Sequence, residues 1–264
     1  MDLPLRLSSS AVARWTAVGL SVMVGLVLAG CGASASPQVK AAAYYAQQAN
    51  LTKLDLPAGW TSQPPVSSSA SSASNLTAAQ TKAVHALITS LPADCQSLSS
   101  TFVASLENAP PVGSVAQNQA QFSSASDGNA IISSTVAVFA TLARSQATYA
   151  LYAAPTFPAC LQTFLRQVLV QVSGLTVHAV TVTPVPTPVP VTGVQALALE
   201  VSQSASKTGS QTDVSTATEV VMQSGRAMAF VEEESNSTAL PADTQTNFDT
   251  SVSTVAKRLV PPPA

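Results

Sequence analysis

The sequence predicts an α+β fold in which helices cover an antiparallel β-sheet. Residues 130–139 (AIISSTVAVF) are β-branched or apolar at most positions, as in a central strand that is buried on both faces. Four strand-like runs follow Gly174 and are separated by turn sequences, which favours antiparallel pairing through hairpins. Apolar residues recur at helical spacing before and after these runs, in residues 141–153 and 242–259.

The composition excludes several classes of protein. The chain has 264 residues and a net charge of −2, and 9% of its residues are charged, against roughly a quarter in an average soluble domain. A nucleic-acid-binding protein needs a dense Lys/Arg surface, so we expect no nucleic-acid partner. Three cysteines and two histidines are too few for a zinc-ribbon or iron–sulfur framework, and the sequence indicates no cofactor and no metal site.

The first 31 residues are typical of a bacterial lipoprotein signal. Arg6 and Arg14 supply positive charge around the start of an apolar run at 15–28, which is shorter than the roughly 20 residues of a membrane-spanning helix. Leu28-Ala29-Gly30-Cys31 then resembles the lipobox of bacterial lipoproteins. The resemblance implies cleavage before Cys31 and a diacylglycerol on its thiol. An uncleaved signal anchor, or an ordinary signal peptide with a chance cysteine, is the alternative.

A lipidated Cys31 would place the protein on the extracytoplasmic face of the cell membrane. Two or three acyl chains hold a protein firmly on a membrane, whereas binding by one acyl chain alone is marginal. The polypeptide itself is near-neutral and offers the membrane no basic patch. We expect residues 1–30 to be the signal peptide, 31–49 the lipidated cysteine and a tether, and 50–260 a single α+β domain. The Ala-rich residues 41–49 fit either a short helix or more tether.

Two cysteines remain once Cys31 is acylated. Outside the cytoplasm such thiols usually pair, which predicts a Cys95–Cys160 disulfide. The bond would close a loop of about 65 residues and stabilise the fold by about 4 kcal/mol, because it lowers the entropy of the unfolded chain. Two buried free cysteines, or a catalytic cysteine, are the alternatives.

Turn signals and helical or alternating periodicity predict the elements before the central strand. They are, in order, a turn at 57–59 that leads Trp60 into the domain, a low-complexity loop at 64–75, a helix from Asn75 or Thr77 to about Ser90, a short helix with Cys95, Leu98 and Phe102, a strand at 115–123 and a hairpin turn at 127–129.

The period changes to that of a helix after the central strand. The predicted elements are, in order, a helix at 141–153, an amphipathic helix with Cys160 on its apolar stripe, strands at 175–183, 193–202, 213–223 and 226–233, and a closing helix at 242–259. The polyproline-like residues 184–190 (PVPTPVP) favour a rigid connection between two strands. A docking segment, or the rim of a cleft, is the functional alternative.

This arrangement resembles actinobacterial, mycobacterial-type envelope lipoproteins. The resemblance rests on the lipobox, the Pro57-Ala58-Gly59-Trp60 turn, the apolar strand before an Ala-rich helix, and the cysteine on the next helix. The layout is similar to the extracellular sensor-like domain of mycobacterial serine/threonine kinases and to lipoproteins of the Mog1/PsbP-like fold. It implies a sheet between helical layers, a ligand-binding cleft and no catalysis. The chain has one cysteine pair where the kinase type has two.

Motifs for catalysis are scarce. The chain contains no Gly-x-Ser-x-Gly motif and no glycine-rich phosphate loop, and Lys207-Thr208-Gly209 is typical of a hairpin turn. His85, in a predicted helix, and His178, in a predicted strand, are the two histidines. A catalytic triad assembled from distant residues would need one of them as its base.

Two charged features remain. The side chains of Glu232-Glu233-Glu234 would alternate in direction along a strand, which favours a solvated strand end over a metal site. Arg226 begins a predicted strand in an apolar context. It either pairs with Glu219 across a hairpin or binds an anionic ligand such as a carboxylate or phosphate.

We therefore expect a lipid-anchored extracytoplasmic binding or sensor-like module of the cell envelope. It would hold a small apolar or envelope-derived ligand, or a protein partner, with Arg226 as the candidate ligand-binding residue and with no catalytic residue. An envelope hydrolase that uses His85 or His178 as its base is the first alternative. An accessory subunit without a ligand pocket is the second.

Overall fold

The computed structural model describes residues 36–63, 78–98, 111, 113–124, 130–171, 174–189, 191–206, 212–236 and 242–260. The predicted signal peptide, Cys31, the low-complexity loop and the turns at 127–129 and 207–209 lie outside these residues, as do Phe102 and both predicted helix caps, Asn75 and Thr77.

The described residues form five α-helices, two short 3-10 helices and seven strands. They are, in chain order, α1 (Pro37–Ala49), a 3-10 helix (Lys53–Asp55), β1 (Trp60–Gln63), α2 (Ala78–Thr89), a 3-10 helix (Ala93–Leu98), β2 (Ser114–Ser124), β3 (Ala130–Phe139), α3 (Leu142–Tyr152), α4 (Phe157–Gln171), β4 (Thr176–Val185), β5 (Gln195–Ser206), β6 (Asp213–Ser224), β7 (Ala227–Ser235) and α5 (Ala242–Leu259).

All seven strands form one antiparallel sheet in the spatial order β1-β2-β3-β7-β6-β5-β4. The sheet consists of two meanders, β1-β2-β3 and β4-β5-β6-β7, which are joined by the pairing of β3 with β7. This pairing makes β3 and β7 central strands, with a neighbour on each side. The predicted α+β class, with an antiparallel sheet covered by helices, is confirmed.

Helices cover both faces of the sheet. On one face, which we call the disulfide face, α2, α3 and α4 pack over a core that includes Phe164 and Phe230. On the other face, which we call the α1 face, α1 and α5 pack over a core that includes Val231 and Phe248. Neighbouring residues of β7 therefore enter opposite cores, which explains why the central strands are apolar on both sides.

The Ala-rich segment forms a helix, which was one of its two predicted states. Ser36 caps α1 by accepting a hydrogen bond from the Val39 backbone, and proline follows at the first helical position. Ala42, Ala46 and Ala49 are buried against the sheet at helical spacing. The folded part therefore includes Pro37–Ala49, ahead of the boundary that we predict at residue 50.

Of the two edge strands, β1 is short and β4 is interrupted. β1 has four residues. β4 contains Pro184 and has a register shift between Val177 and Ala179. Proline and bulges are typical of edge strands, because a central strand needs every backbone donor for its ladder. Beyond β4 the polyproline-like segment crosses to the α1 face, where Val185 and Val189 pack against the core.

Cys95 and Cys160 form the predicted disulfide, with their Cα atoms 5.4 Å apart. The bond joins the second 3-10 helix to α4, and both residues are buried in the core of the disulfide face. It closes a loop with a sequence separation of 65 residues.

Removal of this bond is expected to destabilise the protein. The double variant Cys95→Ala/Cys160→Ala should lose about 4 kcal/mol of unfolding free energy, because its unfolded chain gains the entropy of the opened loop. Urea denaturation of the purified variant and wild type measures the difference. As a control, alkylation of native wild type without reductant should label neither cysteine. Labelling of both would contradict the bridge.

Candidate functional site

An open groove of about 720 Å³ lies on the α1 face, between the N-terminal half of α1 and the ends of four strands. Its volume falls in the range of about 300–1,000 Å³ that is typical of small-molecule sites. The described lining is mostly apolar and comes from two sources. Helix α1 contributes Gln38, Val39, Ala41, Ala42 and Tyr45, and the sheet contributes Val115, Val138, Ala140, Ser224, Gly225, Arg226 and Ala227.

Small side chains on α1 explain why this groove stays open. Val39 and Tyr45 are half-buried, whereas Ala41 and Ala42 between them fill little space. Val115 on the opposite wall is 38% exposed, which is unusual for a strand valine beside a helix. An apolar surface that neither wall covers is the physical requirement for binding an apolar ligand.

Arg226 lies at the rim of this groove, in the turn between β6 and β7 and not in a strand as predicted. Gly225, the first residue of the turn, has φ 53°, a left-handed conformation that favours glycine. The Arg226 Nη1 atom donates to the backbone oxygen of Ala140 at 3.3 Å. The alternative pairing with Glu219 is not formed, because Glu219 is buried on the disulfide face.

A second pocket of about 310 Å³ lies between the polyproline-like segment and α5. Residues 185–188 line one side, and Glu200, Gln245 and Asp249 supply polar groups. The Gln245 side chain already donates to Asp249 Oδ1 at 2.9 Å. The polyproline-like segment therefore connects β4 to β5 and lines this pocket, as expected for the rim of a cleft, while its rigidity and a docking role stay predictions.

The Glu232-Glu233-Glu234 run is buried, so the prediction of a solvated strand end was wrong. The three side chains are 4%, 0% and 3% exposed. The reason is the pairing of β7 with both β3 and β6, which places the run inside the sheet. Ser133 on β3 donates to Glu232 Oε2 at 3.3 Å, and Glu219 on β6 lies directly opposite Glu232.

Glu219, which faces this run from β6, has a perturbed carboxyl group. It is 1% exposed, and its Oε2 atom has no hydrogen-bond partner. Burial raises the pKa of Glu219 to about 8, because the low-dielectric core disfavours the charged form. Burial, and then the nearby Glu219 carboxylate, also raise the pKa of Tyr152. Glu219 is therefore largely protonated at neutral pH.

These carboxylates do not form a metal site. Among the described residues, the one group of three candidate ligands with suitably close atoms is Asp94 with Cys95 and Cys160. Both of those sulfur atoms belong to the disulfide, so they are not available as thiolate ligands. In the part of the chain that the structure describes, the carboxylate oxygens of the β6 and β7 glutamates do not lie close enough together to form a second group of three metal ligands.

The two histidines lie on the surface, on different elements. His85 is exposed on α2. His178 is exposed on edge strand β4, where its Nε2 atom lies 2.8 Å from the hydroxyl of Ser206. No described carboxylate contacts the His178 ring, and neither residue of the pair lines either of the two pockets described above. Among the described residues, the structure thus brings together a histidine and a serine without a carboxylate, and outside both of these pockets.

The resemblance implied a ligand-binding cleft, and the sequence singled out Arg226, but neither showed that a groove lies beside Arg226 and α1. The walls come from segments more than 60 residues apart, and α1 has few large apolar residues to signal a binding surface. The one available signal was the helical spacing of Ala42 and Ala46, which indicates that one side of the segment is buried.

No described helix is both long and apolar enough to cross a membrane. In comparisons with known proteins, no protein-family model and no curated protein matches this chain.

The buried carboxyl of Glu219 makes a prediction about pH. Its folded pKa lies above its unfolded value, so its protonated form stabilises the fold at low pH and this contribution is lost as the pH rises towards about 8. The isosteric variant Glu219→Gln cannot ionise at this position, so its stability should not fall in this way as the pH rises. It should be more stable than wild type by about 1–3 kcal/mol at pH 9 and nearly equal at pH 4.

Urea denaturation across this pH range measures the difference. Glu200→Gln, which removes an exposed glutamate of the neighbouring strand β5, is the matched control and should follow wild type. A Glu219→Gln variant that keeps the pH dependence of wild type would contradict the assignment.

Proposed function

We propose that this protein is a lipid-anchored binding module of the extracytoplasmic face of the cell membrane, and that it holds a small apolar ligand in the groove beside α1. The observation that supports this function is the groove itself. It is large enough for a small molecule, its described walls are mostly apolar, and it is open to solvent.

The position of the groove along the chain agrees with a membrane anchor. Cys31, the predicted lipidation site, precedes the first residue of α1 by six positions. Six extended residues span at most about 20 Å. The N-terminal half of α1, which forms one wall of the groove, would therefore stay within about 30 Å of the bilayer surface. A ligand that partitions into the membrane would have a short path to the groove.

The disulfide supports the proposed compartment. Bonds of this kind persist outside the cytoplasm, where reducing systems do not keep thiols free. Cys95 and Cys160 are both buried and bonded, so they have a structural role and leave no described thiol for catalysis.

An envelope hydrolase remains a second candidate because His178 contacts Ser206. A serine nucleophile needs its histidine base to be oriented by a third group, which is usually a carboxylate. The described residues supply none at His178, and the pair lies on an exposed strand edge where water is not excluded. Binding without catalysis is therefore the function that the geometry supports better.

The anchor is tested by the variant Cys31→Ala. We expect this variant to be exported without a lipid and to appear in the soluble fraction, because the near-neutral chain has no basic patch to retain it. Ser34→Ala, three residues further along the chain, is the control and should stay with the membrane. Fractionation followed by immunoblotting measures both. Membrane retention, after a carbonate wash, of a Cys31→Ala chain that intact-mass analysis shows to have lost residues 1–30 would refute the anchor.

The groove is tested by filling it. Ala41 is exposed on α1 and lines the groove, so Ala41→Trp should block the site without disturbing the core. We expect wild type to bind the neutral apolar dye N-phenylnaphthylamine with a rise in fluorescence, and Ala41→Trp to bind it about tenfold more weakly.

The matched control for this experiment is Gln47→Trp, which adds the same side chain at an exposed position of α1 outside the groove. It should bind the dye as wild type does. Equal binding by Ala41→Trp and wild type, or no binding by wild type, would count against the groove as the ligand site.

A further inference from the structure

The turn that carries Arg226 is held in place by two buried side chains. Ser145 on α3 and Gln223 on β6 both donate to the backbone oxygen of Gly225, at 2.7 and 2.6 Å. Gln223 also donates to the Ser145 hydroxyl at 3.1 Å. The backbone oxygen of Arg226 accepts a hydrogen bond from Phe139 at 2.8 Å. The backbone of the turn is thus fixed before any ligand arrives.

The guanidinium of Arg226 has most of its hydrogen-bonding capacity unused. An arginine carries five N–H donors, and the described contact of Arg226 is the single bond to the Ala140 carbonyl. No carboxylate of the described residues pairs with it, and the described lining of the groove contains no acidic residue. Arg226 therefore supplies the charge at this end of the groove, and that charge is positive.

The groove thus combines a mostly apolar lining with an exposed arginine at one end, on a turn whose backbone is held in place. The apolar part of the lining includes Val39, Val138 and Ala227, whose side chains form no hydrogen bonds. The planar guanidinium of Arg226 can donate two parallel hydrogen bonds to the two oxygens of a carboxylate. We infer that the ligand is a single-chain carboxylate of the fatty-acid type, with its chain between α1 and the sheet and its carboxylate on Arg226. This inference rests on the proposed function, since it specifies the ligand class of the same groove.

The test compares two probes that differ only in the charge of the head group. Laurate and lauramide have the same chain, and laurate is ionised at pH 8. We expect wild type to bind laurate at least about tenfold more tightly than lauramide, as measured by calorimetry, because a charge-assisted hydrogen bond is stronger than a neutral one.

The variant Arg226→Gln should bind both probes with about the affinity of wild type for lauramide, so the preference disappears. Arg166→Gln is the matched control, because Arg166 is an exposed arginine of α4 on the disulfide face. It removes the same charge from the protein and should keep the preference for laurate. Thermal unfolding of both variants verifies that the fold is intact.

The outcomes separate this inference from the function on which it rests. Equal binding of laurate and lauramide by wild type would overturn the carboxylate assignment while leaving an apolar-ligand module. A laurate preference that persists in Arg226→Gln would overturn the role of Arg226. Tighter binding of lauryl phosphate than of laurate would overturn the carboxylate in favour of a phosphate head group. Failure of wild type to bind any of the three would overturn both proposals.

Discussion

The buried amide of Asn50 holds the end of α1 against the centre of the sheet. Its Nδ2 atom donates to Asn118 Oδ1 at 2.9 Å and to the Ser134 carbonyl at 3.3 Å, while its Oδ1 atom accepts from the Leu51 backbone. Asn50 is fully buried, so its bonds to Ser134 and Leu51 form without competition from water. Helix α1 supplies mainly alanines to the core, and it is this polar anchor that specifies where the helix lies. The groove has a wall because Asn50 keeps α1 there.

The same region is tied to α5, the other helix of the α1 face. Arg258 donates to the Asn50 carbonyl at 2.8 Å and makes a two-pronged contact with Asp55, at 2.7 and 2.8 Å. Burial would raise the pKa of Asp55, but the hydrogen bonds from Arg258 and Thr52 outweigh it and hold the pKa below its usual value. Tyr45 adds a bond from its hydroxyl to the Leu259 carbonyl at 2.7 Å. The two helices are thus oriented by polar contacts at their ends and by apolar packing between them.

Local periodicity was sufficient to predict most helices and strands. The burial of particular side chains depended instead on pairing between strands that are distant in the sequence. The apolar run at 130–139 favours a strand from its own residues, whatever packs against it, so β3 was predicted with its observed bounds. The glutamates at 232–234 were misjudged, because their burial depends on β3, a strand about 100 residues earlier in the chain. A cleft was expected from the resemblance, but its place beside α1 was not predicted, since its walls meet through tertiary contacts alone. Arg226 was identified because a single arginine among apolar residues is conspicuous in any context.

The edges of the sheet have a consequence for a protein that is tethered to a membrane as proposed. Tethering confines many copies to two dimensions and raises the frequency of their collisions. A long regular edge would then be a template on which further copies add strand by strand. The bulge and the proline of β4 interrupt the row of backbone donors and acceptors at the β4 edge. At that edge these interruptions would disfavour strand addition between crowded copies.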